Sequence, residues 1–299
     1  MDPLSDADRE ALDALLDMIR IDTISAQGPV NGSYATIANL LQNQCQRAGL
    51  STEILELARG KPIVVATWVG CEPDLSSLLL TGHYDVVPVV PEKWNCDPFG
   101  GIVRDGLIFG RGTQDMKSCL AAYIQCVRQL KHSGFKPRRT VHLLFVPDEE
   151  IGGKDGMEAF VKTERFRQLN IGFAIDEGLC SPNETVKRAM LVHFSKKVLC
   201  RSFICAWTKY TVIVKSKSKN TQNVISVTLL LSITIFEPKI FPAATDSRFL
   251  RNLGIPCLGF SPFPNTEVRF HDHDEYISIK AFLAAIPIYS TIVKSLSCL

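Results

Sequence analysis

The octapeptide Leu78-Leu79-Leu80-Thr81-Gly82-His83-Tyr84-Asp85 places an apolar run directly before a histidine, with an aspartate two positions further on. A short apolar run of this kind reads as a buried strand, and the polar pair then falls where the strand opens into a loop. The arrangement recurs in Phe145-Val146-Pro147-Asp148-Glu149-Glu150-Ile151-Gly152-Gly153 and in Phe173-Ala174-Ile175-Asp176-Glu177-Gly178. Two polar stretches complete the set: Gly110-Arg111-Gly112-Thr113-Gln114-Asp115-Met116-Lys117 and His271-Asp272-His273-Asp274-Glu275. Oxygen and imidazole donors without thiolates suit a hydrolytic zinc site, where a bound metal acidifies water. These residues point to an enzyme.

Working outward, Ser5 and Asp8 have capping-box spacing, and Leu12, Leu15, Leu16 and Ile19 share one helical face behind them. Ile37, Leu40, Leu41, Cys45 and Ala48 repeat the period before Gly49, a good helix stop. Strand-like runs lie at 63–69, 78–80, 141–146, 173–175 and 256–260, with helical segments at 116–131 and 279–293. Strands alternating with helices imply a three-layer α/β fold. In such open sheets the loops at the carboxyl ends of the strands converge on a crevice, so His83, Glu149, Glu150 and Glu177 can meet there. Asp115 is expected at the start of the helix from Met116, near its unpaired first-turn amides.

The five stretches resemble the dinuclear zinc peptidase and deacylase superfamily, and residues 82–178 are most similar to its cytosolic aminoacylases, which hydrolyse N-acyl-L-amino acids. Phe241-Pro242-Ala243-Ala244-Thr245-Asp246-Ser247-Arg248 is similar to the same group. The resemblance covers about 1–187 and 237–299, and it implies a zinc-peptidase-like catalytic domain with a mostly parallel mixed sheet. It also implies two Zn2+ ions: His83 and Glu177 complete one, Glu150 and His271 the other, and Asp115 bridges them. Asp85 becomes the carboxylate that orients His83, and Glu149 the general base and acid. Thr245 is the expected substrate contact, with Asp246 and Arg248 beside it. A cis peptide is implied at Asp115-Met116.

Taken singly, a His-x-Asp or Glu-Glu pair is ordinary surface chemistry, Asp85 and Asp148 could be turn residues, and His271–Glu275 could be a solvated acidic loop. The combination separates the readings. His132 and His142 read as surface or packed residues, His193 has no assignable role, and of the pair at 271 and 273 the resemblance selects His271. The glycines around Arg111 do not form a phosphate loop, because GxxxxGK[ST] is absent.

Composition bounds the rest. The chain has 299 residues, 46% of them hydrophobic, enough for a full core. Its ten cysteines are scattered without a CxxC pair, and the acidic N-terminus lacks a signal-peptide pattern. Reduced thiols and a cytoplasmic location are expected. The net charge of +2 is unevenly spread: from Thr185 to Phe236, 52 residues contain no Asp, Glu, Gly or Pro but nine cations. The remaining 24 cations face 31 acids, so the rest of the chain carries −7. So long a run without turn residues is improbable in a compact domain and is expected to pack poorly.

The division expected is therefore a catalytic domain in two parts, 1–187 and 237–299, with a foreign basic segment at 188–236. In the family resembled, a lid and dimerisation domain well over a hundred residues long stands there. That lid supplies a histidine that stabilises the oxyanion across the dimer, and polar groups that hold the substrate carboxylate. Neither has a counterpart in this sequence, so a monomer with impaired hydrolysis is expected; loss of oxyanion stabilisation alone costs about 3–4 kcal/mol. Nucleic-acid binding is not expected, since Phe194, Phe203, Trp207 and Tyr210 form no binding motif among the lysines. Nor is a membrane anchor, since residues 224–236 are too few to span a bilayer. Two alternatives to a zinc-dependent aminoacylase acting on a small N-acyl amino acid are carried. One is an inactive metal-binding relative acting through protein interaction; the other is a dipeptidase or carboxypeptidase of the same superfamily.

Overall fold

The structure is a computed structural model that describes residues 4–182 and 243–299 with their side chains. Between them it describes the backbone of five strands, Ala189–Leu191, Cys205–Thr208, Thr211–Ser218, Thr221–Val227 and Lys239–Ile240. The chain opens with α1 (Asp6–Ile19), α2 (Gly28–Asn31) and α3 (Ser33–Arg47), followed by β1 (Ser51–Glu56), β2 (Pro62–Trp68) and β3 (Ser77–His83). A hairpin of β4 (Ile102–Arg104) and β5 (Leu107–Phe109) precedes α4 (Lys117–His132) and β6 (Val141–Val146). Short helices α5 (Met157–Phe160) and α6 (Glu164–Gln168) lead to β7 (Ile171–Asp176). The five strands named above are β8 to β12, and α7 (Ser247–Asn252), β13 (Cys257–Phe260), β14 (Tyr276–Ser278) and α8 (Ile279–Ser297) close the chain.

The main sheet has the order β1-β2-β6-β3-β7-β13-β8-β12. Among its first six strands only β2 runs against the others, being antiparallel to both neighbours while β3 is parallel to β6 and β7, and β13 to β7. The mixed, mostly parallel sheet is therefore present. Strand alternation divides its side chains between two cores. Val64, Ala66, Leu78, Leu80, Leu143 and Phe145 join α1, α3, α4 and α8 on one face. Ile63, Val65, Leu79, Leu144 and Val146 meet Met157, Phe160, Phe166 and Leu250 on the other. Burial on both faces explains why β3 and β6 read as continuous apolar runs and not as alternating ones.

Ser5 caps α1 as its spacing implies, its Oγ accepting the N–H of Asp8 over 3.1 Å. Helix α8 is long and apolar enough to cross a membrane by length and composition, but half of that stretch is buried in the fold, against α4 and the sheet. A core helix passes the same test. In the foreign segment β9, β10 and β11 pair as a three-stranded antiparallel sheet. The expectation that this segment packs poorly concerns side chains and connections that lie outside the described residues.

Candidate metal centre

Five segments carry the cluster, one of them the loop before α4 that holds Asp115. His83 is the last residue of β3, and the glycine before it makes room for Met116: a Cβ on Gly82 would lie 2.3 Å from the Met116 methyl carbon. Beyond β6 the chain reverses sharply, with Asp148 at φ 65°, Gly152 at φ 104° and Gly153 at φ 65°. The Glu149–Ile151 turn lies between them, and the two glycines take this backbone without strain. Asp148 is buried; it accepts the Tyr34 hydroxyl over 3.0 Å and pairs with Lys61 at 2.5 Å. It thus anchors the turn that presents Glu149 and Glu150. Glu177 follows β7, and His271 sits in the loop before β14 at φ 62°.

The implied ligands converge. His83 Nε2 lies 3.0 Å from Asp115 Oδ1 and 3.7 Å from Glu177 Oε2. His271 Nε2 lies 3.2 Å from Asp115 Oδ2 and 3.1 Å from Glu150 Oε2. Asp115 offers one oxygen to each imidazole, the disposition a bridging carboxylate needs. Ligand atoms of His83, Glu149 and Glu177, and of His83, Asp115 and Glu150, fall within 4.8 Å of one another. The Asp115-Met116 peptide is cis, as the resemblance implies.

Three details differ from the sequence reading. Helix α4 begins at Lys117, and the Asp115 carboxylate faces the two histidines instead of the helix amides. The nearest partner of His83 Nδ1 is the main-chain oxygen of Asp85 at 2.9 Å, with the Asp85 carboxylate at 3.5 Å. That carboxylate instead accepts the N–H groups of Glu149 at 3.1 Å and Glu150 at 3.2 Å, and the Ser25 hydroxyl at 2.7 Å. Thr245 is 1% exposed, and its Oγ1 has no hydrogen-bond partner among the described residues. A cavity of about 500 Å³ beside the ligands is lined by Ala243, Ala244 and Arg248, together with Leu179, Val268 and Phe270. Asp176 holds this wall by accepting the Ser247 N–H at the start of α7 over 3.1 Å.

The charges fit divalent cations. Burial, then the neighbouring Asp115, raises the carboxyls of Glu177 and Glu150 above their usual range. Burial also pushes Glu149 up to about 9, against the lowering effect of His83, with Asp246 and Asp115 adding to the rise. Burial alone would raise Asp115, but hydrogen bonds from His271 and His83 outweigh it and hold that carboxyl low. Burial would lower His83, yet Asp115, Asp85 and Glu177 raise it; Asp115 and Glu150 push His271 up to about 10. Four carboxylates thus draw protons onto both imidazoles, and a divalent cation would supply the same positive charge while releasing those protons.

A family model described as Peptidase family M20/M25/M40 matches residues 79–295, which include every residue of the cluster. The chain belongs to this family. It is a metal-dependent amidohydrolase of the aminoacylase group within M20. Aminoacylase-1A of Rattus norvegicus is 32% identical, over 89% of this chain and 91% of the relative. Aminoacylase-1 of Dictyostelium discoideum is also 32% identical, over 79% and 86%. The solved structure of an M20 family metallo-carboxypeptidase from Sulfolobus solfataricus superposes with a TM-score of 0.72 over 97% of this chain and 100% of that one. At 16% identity it shows the M20 fold alone. The rat alignment runs over 377 positions against a chain of 299 residues, so at least 78 positions of that M20 relative face gaps here.

The site residue that sequence reasoning missed is Glu275. It is fully buried and paired with Arg111 at 2.8 Å. It stands directly before the strand Tyr276–Ser278, which at three residues leaves no signal in the sequence.

Proposed function

We propose that this chain hydrolyses the amide bond of N-acyl-L-amino acids, giving a carboxylate and a free amino acid, with two zinc ions. His83 and Glu177 would hold one ion, Glu150 and His271 the other, and Asp115 both. Bound there, zinc would polarise the amide carbonyl and acidify a water. Glu149 would take a proton from the attacking water as its oxygen joins the carbonyl carbon, and return it to the nitrogen as the C–N bond breaks. Asp85 holds the backbone of the Glu149 turn and the ring of His83 in one frame. The observation that carries this reading is the contrast within the pair at 149–150. Glu150 lies against His271, whereas Glu149 has no ion pair with either histidine among the described residues and faces the cavity beside the cluster. Bound cations would offset the burial that raises its carboxyl and keep it ionised, which suits a proton carrier.

The relatives' printed names support the N-acyl amino acid as substrate, and Arg248 on the cavity wall supplies a cation for its carboxylate. We read the alignment gap as the lid and dimerisation domain, replaced here by residues 188–236. The chain then works as a cytoplasmic monomer with slow turnover. The same gap favours a second reading, a metal-binding relative without turnover that acts through protein interaction. Incubating purified protein with N-acetyl-methionine, and separately with a dipeptide, decides between them. Chelator-sensitive release of methionine from the N-acetyl compound is expected. Release from the dipeptide alone would make the chain a peptidase, and release from neither would favour the second reading.

A further inference from the structure

We propose that Glu275 is a positioning residue that sets the separation of Asp115 and His271. Its carboxylate is 0% exposed and sits at the crossing of the two loops that carry those ligands. Oε1 accepts the N–H groups of Gln114 at 2.6 Å and Asp115 at 3.3 Å, and the Thr113 hydroxyl at 3.4 Å. Oε2 accepts the N–H of Gly112 at 3.0 Å and the Arg111 guanidinium at 2.8 Å. Its own main-chain oxygen accepts the N–H of Gly110 at 3.0 Å. One side chain therefore gathers three amides of the loop, those of Gly112, Gln114 and Asp115, ending on the residue that offers an oxygen to each histidine.

The tie is made in both directions. Arg111 also donates to the main-chain oxygen of Asp272 at 3.1 Å, next to His271. Gln114 donates to the main-chain oxygens of Glu267 at 2.9 Å and Tyr276 at 2.7 Å, and its own oxygen accepts the N–H of Arg269 at 2.9 Å. His271 is thus bracketed, through residues 267, 269, 272 and 276, by bonds to the Asp115 loop. His271 itself is half exposed and has φ 62°, so its own packing does little to fix it. The 3.2 Å between His271 and Asp115 follows from Glu275 and Gln114. A carboxylate is needed at 275 because every partner of its side chain is a donor; an amide would turn an NH2 toward N–H groups.

Groups that orient metal ligands typically change metal affinity by ten- to a hundredfold when altered. Three variants test the assignment, read by zinc affinity in chelator competition and by the melting of the metal-free protein. Glu275→Gln leaves Arg111 buried without its charge partner and could unfold, so the double variant Arg111→Met with Glu275→Gln removes both charges. Gln114→Ala cuts the His271 arm alone. The expected result is about ten- to a hundredfold weaker zinc binding in the double variant and about tenfold in Gln114→Ala, with the metal-free melting of Gln114→Ala near that of the wild type. Wild-type affinity in either folded variant overturns the proposal. So does weakening confined to variants whose metal-free form has also unfolded, which makes Glu275 a purely structural residue. The inference rests on the metal-centre reading. Absence of zinc binding in the wild type would sink that reading, whereas zinc-replete wild type with unaltered variants would sink only the inference.

Discussion

The amide N–H of Glu149 donates to Oδ1 of Asp85 over 3.1 Å, so the expected proton carrier hangs from the residue that also carries the main-chain oxygen nearest His83 Nδ1. A single carboxylate thereby couples the end of β3 to the turn after β6. Asp85→Asn keeps the main-chain contact to His83 but turns an NH2 either toward the Glu149 N–H or toward the Glu150 N–H and Ser25 hydroxyl, so at least one donor loses its acceptor. Zinc affinity should fall about ten- to a hundredfold. Chelator competition measures it, and unchanged affinity would show that the turn holds its place without Asp85.

Glu149→Gln separates proton transfer from metal holding. The variant should retain its zinc and lose about 10²–10⁴-fold in kcat on N-acetyl-methionine. Loss of zinc in parallel with activity would instead make Glu149 a ligand, a role its proximity to His83 and Glu177 allows.

His142 lies on β6, away from the ligands, with Nδ1 2.9 Å from the Thr67 hydroxyl. Burial, then the charge of Arg165, pushes its pKa from 6.5 down to about 4. Its contribution to stability is fully present above pH 6.5 and is lost as pH falls through about 4, because the unfolded chain takes up the proton first. The shift is worth about 3 kcal/mol. Urea unfolding at pH 7 and pH 4.5 should show the wild type losing more stability than His142→Asn over that interval; equal losses would mean that the buried imidazole already carries its proton.

On the proposal that residues 188–236 replace a lid, the chain should elute as a monomer in size-exclusion chromatography and turn over N-acetyl-methionine far more slowly than a lid-containing homologue. Grafting a homologous lid between about Val186 and Pro238 should restore dimerisation and rate together. Full activity in the monomer would assign oxyanion and carboxylate binding to Arg248, Thr245 or the segment 188–236.

The parts of the molecule legible in the sequence are those where one residue type answers one local demand. Ser5 before a periodic helix and Leu78–Leu80 before His83 are examples. The five implied ligands came with the family resemblance, and the structure places their side chains close together. The strand Ser51–Glu56 stayed hidden because it lies at the sheet edge, exposed or half-buried throughout, and its two apolar residues, Ile54 and Leu55, stand side by side without alternation. The hairpin Ile102–Phe109 stayed hidden because its strands are only three residues long. Glu275 was illegible for a different reason. Its role depends on N–H groups more than 150 residues away in sequence, and no local pattern distinguishes a carboxylate gathering amides from one facing water. Thr245 shows the converse: its motif points to substrate, yet its side chain is buried while Ala243, Ala244 and Arg248 form the cavity wall.

The zinc content of the purified chain, measured by elemental analysis after dialysis beside Asp115→Ala, tests the central claim most directly. An aspartate shared between His83 and His271 predicts close to two zinc ions per wild-type chain and almost none in the variant, because both sites lose the bridge. Full occupancy in Asp115→Ala, or a wild type that binds no zinc, would contradict the account.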